Sequence, residues 1–147
     1  MSLGRFVEAQ ARAWPRPVEE IRAGRKTSHW MWYIFPQLSG LGQSPMAQLY
    51  GIDGLAEARD YLRHPVLGPR LIEIAQAMLA HEGVAPETVL GPIDAMKLRS
   101  CATLFEAAGG DAVFAALLDA FLRHTKTPMP NDLANKVAGI VGPFCFT

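Results

Sequence analysis

Apolar residues recur at helical spacing along most of this 147-residue chain, and glycines and prolines separate one periodic segment from the next. In the clearest segment, residues 67–81, apolar side chains fall at i, i+4, i+7, i+8, i+11 and i+12, on one face of an α-helix. The same spacing predicts helices over residues 3–14, 18–23, 53–62, 94–108 and 112–122. Each helix must bury its apolar face, so the pattern predicts an all-α fold of several short amphipathic helices around one core.

Two segments compete with this helical interpretation. Residues 30–35 and 140–146 are rich enough in aromatic or β-branched side chains to form strands. A single two-stranded piece would add little to a helical domain. No linker or shift in composition marks a second domain, and the length suits one domain. We therefore expect residues 1–147 to form a single compact helical domain.

The charge balance argues against several classes of function. The chain has 14 basic and 14 acidic side chains, so it lacks the positive charge with which most nucleic-acid-binding proteins attract their ligand. Half of its residues are hydrophobic, which excludes disorder, and two cysteines are too few for a disulfide scaffold. The charge balance therefore argues against a nucleic-acid partner, and the remaining interpretation of that class is recognition of a single strand by aromatic stacking beside Arg and Lys.

The ends and the apolar runs indicate where the protein resides. The first residues, Met1 to Arg5, contain no apolar stretch of a secretory signal, and no run approaches the 18 or so apolar residues of a membrane span. Neither end carries a lipidation motif. We expect a soluble, cytoplasmic protein with no membrane association.

The segment from Ile21 to Ile52 contains no Asp or Glu, although it is rich in cations, hydroxyls, amides and aromatic rings. Arg and Lys bind phosphate or carboxylate, while Trp and Tyr stack on flat rings. The composition therefore predicts a site for a small anionic ligand, such as a nucleotide or a phosphorylated sugar derivative. The predicted ligand-binding residues are Arg25, Lys26, Ser28, Trp32, Gln37, Ser44 and Tyr50.

Two other interpretations of this segment remain open. In the first, its aromatic residues belong to the core, and Arg25 and Lys26 lie on a solvated turn. Alternatively, Trp30, Trp32 and Tyr33 form an exposed patch for a protein partner, because Trp, Tyr and Arg dominate interface hot spots. Burial of the Trp rings distinguishes these cases.

Three residues are candidates for catalysis. Lys97 and Ser100 are spaced i, i+3 on the helix predicted from Asp94, where the two side chains can meet and the lysine can activate the hydroxyl. A solvent-facing lysine near a serine is the commoner outcome of that spacing. His29 is the candidate general acid or base because its neighbours in the sequence are the cations, hydroxyls and aromatic rings of the acid-free segment.

No metal site and no cofactor are predicted. The four histidines, at positions 29, 64, 81 and 124, share no helical i, i+4 spacing with one another or with a cysteine. Cys101 falls on an apolar helix face, where an inert buried thiol is expected. Gln10 also lies on an apolar face, so its amide must either bind the backbone or point into a pocket.

Residues 26–42, KTSHWMWYIFPQLSGLG, resemble a bacterial and fungal family called domain of unknown function 1810, some of whose members are labelled calpastatin-like. The resemblance covers about residues 5–123 and implies a single all-helical domain with no assigned activity. Two departures matter: Cys101 stands where the family usually has a second serine, and the ending over residues 124–147 differs.

Overall fold

The computed structural model describes residues 3–124, and within them the chain is helical, as the periodicity predicts. The described residues form nine α-helices: α1 (Gly4–Ala13), α2 (Arg16–Arg22), α3 (Met31–Ile34), α4 (Pro45–Leu49), α5 (Gly54–Arg63), α6 (Leu67–Leu79), α7 (Pro86–Leu90), α8 (Pro92–Ala107) and α9 (Val113–His124). None of these helices is long and apolar enough to span a membrane.

The competing strand interpretation of residues 30–35 is wrong, because Met31–Ile34 form a short helix. The other strand candidate, residues 140–146, and the ending from residue 125 onward lie outside the described residues. Helices α4 and α7 are additional to those predicted. Both have a proline in the first turn, where the missing N–H costs no intrahelical hydrogen bond.

Helices α6 and α8 form the centre of the packing. Helix α8 packs against α5, α7 and α9, while α6 packs against α2, α5 and α9. The Phe105 ring of α8 lies between two other buried rings, 5.3 Å from Tyr61 and 5.8 Å from Phe114. Cys101 is buried on the same helix, as predicted, and burial raises the pKa of its thiol. One continuous core therefore joins the two halves of the described chain.

The Gln10 amide links α1 to α3 and α5. Its Nε2 donates hydrogen bonds to the Tyr33 carbonyl at 2.8 Å and to the Tyr61 hydroxyl at 3.1 Å. The side chain is buried, and both interactions run between segments distant in sequence. Of the two roles predicted for this residue, the structure therefore shows the link to the backbone.

A short backbone bridge closes the loop that carries α4. Leu38 and Ile52 form a parallel β-bridge, in which the Ser39 N–H donates to the Ile52 carbonyl and the Ile52 N–H donates to the Gln37 carbonyl. Gly51 allows this approach, because a Cβ there would lie 2.7 Å from the Cα of Ser39. The loop between residues 38 and 52 is thus held at its base.

Arg5 fastens the same loop to α1. Its guanidinium donates to the backbone carbonyls of Leu49 and Gly51 and to the carboxylate of Glu57, each at 2.9 Å. Glu57 also accepts the N–H of Asp53. Asp53 directly precedes α5, where an aspartate often caps a helix, but its side chain accepts no hydrogen bond from the first turn of this helix.

Candidate functional site

Glu20, at the end of α2, shapes the turn that begins the acid-free segment. Its carboxylate accepts hydrogen bonds from the Thr27 N–H at 2.7 Å and from the Ser28 N–H and hydroxyl at 3.1 and 2.5 Å. It also accepts the Trp30 indole N–H at 2.9 Å. One carboxylate thereby fixes residues 27–30 against α2.

These hydrogen bonds determine the ionisation of Glu20. Partial burial alone would raise its pKa, but the donors on Ser28, Thr27 and Trp30 lower it to about 2. Each donor stabilises the ionised form. The carboxylate therefore stays charged at all ordinary pH values.

Asp94, in the first turn of α8, holds two lysines. Lys26 Nζ lies 2.8 Å from one carboxylate oxygen, and Lys97 Nζ lies 3.5 Å from the other. The lysines also lie over indole rings, Lys26 at 5.2 Å from the Trp30 centroid and Lys97 at 4.8 Å from that of Trp32. The cluster carries one positive charge in excess of its carboxylate.

The acid-free segment, which has no carboxylate of its own, is therefore partly neutralised by two carboxylates from outside it. Glu20 immediately precedes the segment and folds onto it, and Asp94 reaches it from α8. Lys26, predicted to bind a ligand, is in a close ion pair. The contacts of Glu20 and Asp94 therefore reduce the positive charge of the acid-free segment but do not remove it.

A cleft of about 310 Å³ opens between the acid-free segment and α8; we call it the Trp32–Lys97 cleft. It contains five of the ten predicted site residues, three from the acid-free segment and two from α8: Trp32, Gln37, Ser44, Lys97 and Ser100. Its remaining lining residues are Leu41, Gly42, Gln43, Ala47, Ile93 and Met96. The two segments that the sequence singles out thus face each other across one cleft.

A small recess adjoins this cleft and reaches Tyr50. Its walls share Trp32, Gln37 and Lys97 with the cleft, and its volume of about 10 Å³ suits a single water molecule. Tyr50 is 8% exposed, and its ring packs against those of Phe6 and Tyr33. The predicted stacking surface of Tyr50 is therefore largely used by the core.

A second cleft, of about 350 Å³, lies beside the first; we call it the His29 cleft. It is lined by Lys26, His29, Met31, Trp32, Leu90, Gly91, Pro92, Ile93 and Asp94. Trp32 and Ile93 line both clefts, so the two are neighbours. His29 and Lys97, both predicted to be catalytic, border different clefts.

Ser100 and Ser44 use their hydroxyls within the protein. Ser100 is 3% exposed, and its hydroxyl donates to the Met96 carbonyl one turn earlier in α8. Among the described residues, no hydrogen bond joins Ser100 to Lys97 or to a histidine. Ser44 caps α4, because its hydroxyl accepts the Ala47 N–H.

Arg25, Ser28 and Trp30 lie outside both clefts. Arg25 is exposed, and Ser28 is engaged by Glu20. Trp30 is 2% exposed, so the interpretation of this residue as an exposed anchor for a protein partner is wrong. Trp32, in contrast, remains partly exposed in a concave surface.

Two residues at the clefts were missed by the sequence reasoning. In the sequence, Asp94 marks only the start of a helix, although its i, i+3 spacing to Lys97 is a signal for an ion pair. Ile93 is 72% exposed and borders both clefts, which no local sequence signal indicates. In the described part of the chain, no group of three His, Cys, Asp or Glu side chains could hold a metal ion.

Comparisons with known proteins give the chain relatives without a known activity. Residues 1–133 match a family described as "Protein of unknown function (DUF1810)". The fold is similar to the crystal structure of the conserved hypothetical protein Rv1873 from Mycobacterium tuberculosis, with a TM-score of 0.84 and 42% sequence identity over 96% of each chain. A search of curated proteins gives no match.

Proposed function

The chain belongs to the DUF1810 family of proteins of unknown function, and we propose that within this family it uses the Trp32–Lys97 cleft to bind a small anionic metabolite. The observation that carries the proposal is the position of Lys97. Lys97 lines the cleft, and its ammonium group lies over the Trp32 ring and 3.5 Å from the nearer Asp94 oxygen.

The neighbouring ion pair leaves Lys97 available to a ligand. Lys26 Nζ lies 2.8 Å from an Asp94 oxygen. If a ligand phosphate or carboxylate pairs with Lys97, the aspartate therefore keeps Lys26 as its partner. Removing the only partner of a partly buried charge would be costly, and here that cost is avoided. The cluster then keeps one ion pair and gains a second with the ligand.

Polar groups around Lys97 support recognition of a ligand that carries oxygen atoms. The Gln37 side chain lines the cleft and has no hydrogen-bond partner among the described residues. Its amide both donates and accepts hydrogen bonds. Trp32 supplies an aromatic surface in the same cleft. Charge, amide and ring together match a phosphorylated or carboxylated metabolite.

The proposal is limited to binding. Processing of the ligand requires an activated group, whereas the Ser100 hydroxyl is bound to its own helix and His29 borders the other cleft. The role of His29, Lys97 and Ser100 in catalysis stays a prediction from the sequence.

Thermal unfolding with a panel of anions tests the proposal. The panel contains inorganic phosphate, ribose 5-phosphate, nucleoside monophosphates and the matching uncharged nucleosides. A ligand at 100 times its Kd should stabilise the wild type by about 2.7 kcal/mol. Lys97→Gln should weaken binding about tenfold or more, because it removes a charged hydrogen-bond donor.

Arg59→Gln is the matched control, because it also removes one positive charge and Arg59 is exposed on α5, away from both clefts. This variant should bind the anion as tightly as the wild type. Stabilisation that Lys97→Gln leaves unchanged, or no stabilisation by any anion of the panel, would overturn the proposal.

A further inference from the structure

The Trp32–Lys97 cleft and the His29 cleft share a wall and lie against one charged cluster. Trp32 and Ile93 line both clefts. Lys97 borders the first, Lys26 borders the second, and the carboxylate of Asp94 binds both lysines. A ligand in one cleft therefore lies beside the other cleft, and the charges of Lys26, Asp94 and Lys97 act on both clefts.

The volumes of the two clefts and their shared wall suit a ligand that extends from one into the other. Sites for small molecules span about 300–1,000 Å³, and each cleft by itself is at the lower end of that range. A phosphate group with its sugar fits one cleft. A nucleotide whose anionic group lies at Lys97 can place its ring beyond the shared Trp32 and Ile93 wall, in the second cleft.

The walls of the His29 cleft suit a flat ring. Two aromatic side chains, His29 and Trp32, border it together with Leu90, Pro92 and Ile93. The His29 ring has no hydrogen-bond partner among the described residues, and Ile93 is a large apolar side chain that is 72% exposed. A ring placed between these groups removes apolar surface from water and stacks on aromatic faces.

The polar groups of the His29 cleft favour a ring that carries N–H donors. Asp94 is the acidic residue in its wall, and an ionised carboxylate only accepts hydrogen bonds, at about four positions. Lys26 contacts one oxygen of Asp94, and Lys97 contacts the other. Each oxygen can therefore accept a further hydrogen bond from a ligand N–H. Lys26 can donate to a ring oxygen.

We infer that the two clefts form one bipartite site for an anionic heteroaromatic molecule of nucleotide size. The anionic group binds at Lys97, and a ring with neighbouring N–H donors, of the guanine type, lies in the His29 cleft. This inference rests on the proposed function of the Trp32–Lys97 cleft and adds to it the class of ligand.

Calorimetric titrations with GMP, ribose 5-phosphate and guanosine test the inference on the full chain. GMP should bind at least about tenfold more tightly than ribose 5-phosphate, because only GMP fills both clefts. His29→Ala should weaken GMP about two- to tenfold and leave ribose 5-phosphate unchanged, because His29 borders only the His29 cleft. Ile93→Ala should weaken GMP by a similar factor. Lys97→Gln should weaken both phosphorylated probes.

Val84→Ala is the matched control for Ile93→Ala, because Val84 is also an exposed apolar residue and lies outside both clefts. It should leave the affinity for GMP unchanged. If ribose 5-phosphate binds through Lys97 but GMP binds no more tightly, the bipartite site is overturned and the proposed function stands. If no phosphorylated probe binds, both are overturned.

Discussion

At the scale of single residues, a few polar side chains position the candidate site. The sequence indicates which of them need a partner, but it does not show which residues the partners are. The sequence marks Gln10 as an amide on an apolar helix face, which requires a partner. It does not show that the partners are Tyr33 and Tyr61. Likewise, Lys26 and Asp94 are far apart in the chain, and only the packing of α8 brings them together.

We predict that Glu20→Gln destabilises the protein at neutral pH, because the amide is uncharged and accepts fewer hydrogen bonds than the carboxylate. The folded-state pKa of Glu20, about 2, lies below its ordinary value of 4.5. Its contribution to stability is therefore full above pH 4.5 and is lost as the pH falls towards 2. Urea unfolding of both proteins between pH 7 and pH 2 measures this.

The neighbouring exposed Glu19 provides the control for this prediction. Glu19→Gln should leave the free energy of unfolding nearly unchanged at each pH. A constant difference between the wild type and Glu20→Gln from pH 7 to pH 2 would show that ionisation of Glu20 does not stabilise the fold.

We predict that Gln10→Leu lowers the free energy of unfolding by about 1–3 kcal/mol, because it leaves the buried Tyr61 hydroxyl and the partly buried Tyr33 carbonyl without their donor. Denaturant unfolding measures the loss. Gln76→Leu makes the same change at an exposed position of α6 and should have little effect. Equal stability of the two variants would contradict the role given to Gln10.

At the scale of helices and loops, length decides what the sequence can predict. Helices α6, α8 and α9 span three turns or more, so their apolar residues repeat often enough to show the period. Helices α3, α4 and α7 have four or five residues, which is too few for a repeat. The sequence therefore predicts the core helices, misses the short helices α4 and α7, and leaves α3 as a candidate strand.

The β-bridge at the base of the loop from residue 38 to residue 52 gives a prediction for this scale. Gly51→Ala places a Cβ 2.7 Å from the Cα of Ser39, so the bridge must open or shift. Overpacking of this kind costs about 1–3 kcal/mol. Denaturant unfolding should show the loss, and binding in the Trp32–Lys97 cleft should weaken because the loop forms its wall.

Gly83→Ala is the control, since a Cβ at Gly83 meets nothing within 4 Å. It should keep both the stability and the anion affinity of the wild type. A Gly51→Ala variant as stable as Gly83→Ala would mean that the close approach at the bridge does not constrain the loop.

At the scale of the whole molecule, the balance of 14 basic and 14 acidic residues conceals a local pattern. The acid-free segment predicts a site, and five of the predicted residues do line one cleft. The sequence could not show that Glu20 and Asp94 reduce the charge of the segment, or that His29 belongs to a neighbouring cleft. Those facts depend on how α2 and α8 pack, which no local pattern encodes.

The most direct test of the central claim is an NMR titration of the ¹⁵N-labelled protein with phosphate, ribose 5-phosphate and GMP. The chain has three tryptophans, and only Trp32 lines the Trp32–Lys97 cleft. We predict that the Trp32 indole signal and the amide signals of Gly42 and Lys97 shift with saturation, while the indole signal of Trp14 stays in place. Saturable shifts confined to residues outside both clefts, or none with any of these anions, would contradict an anion-binding site in this cleft.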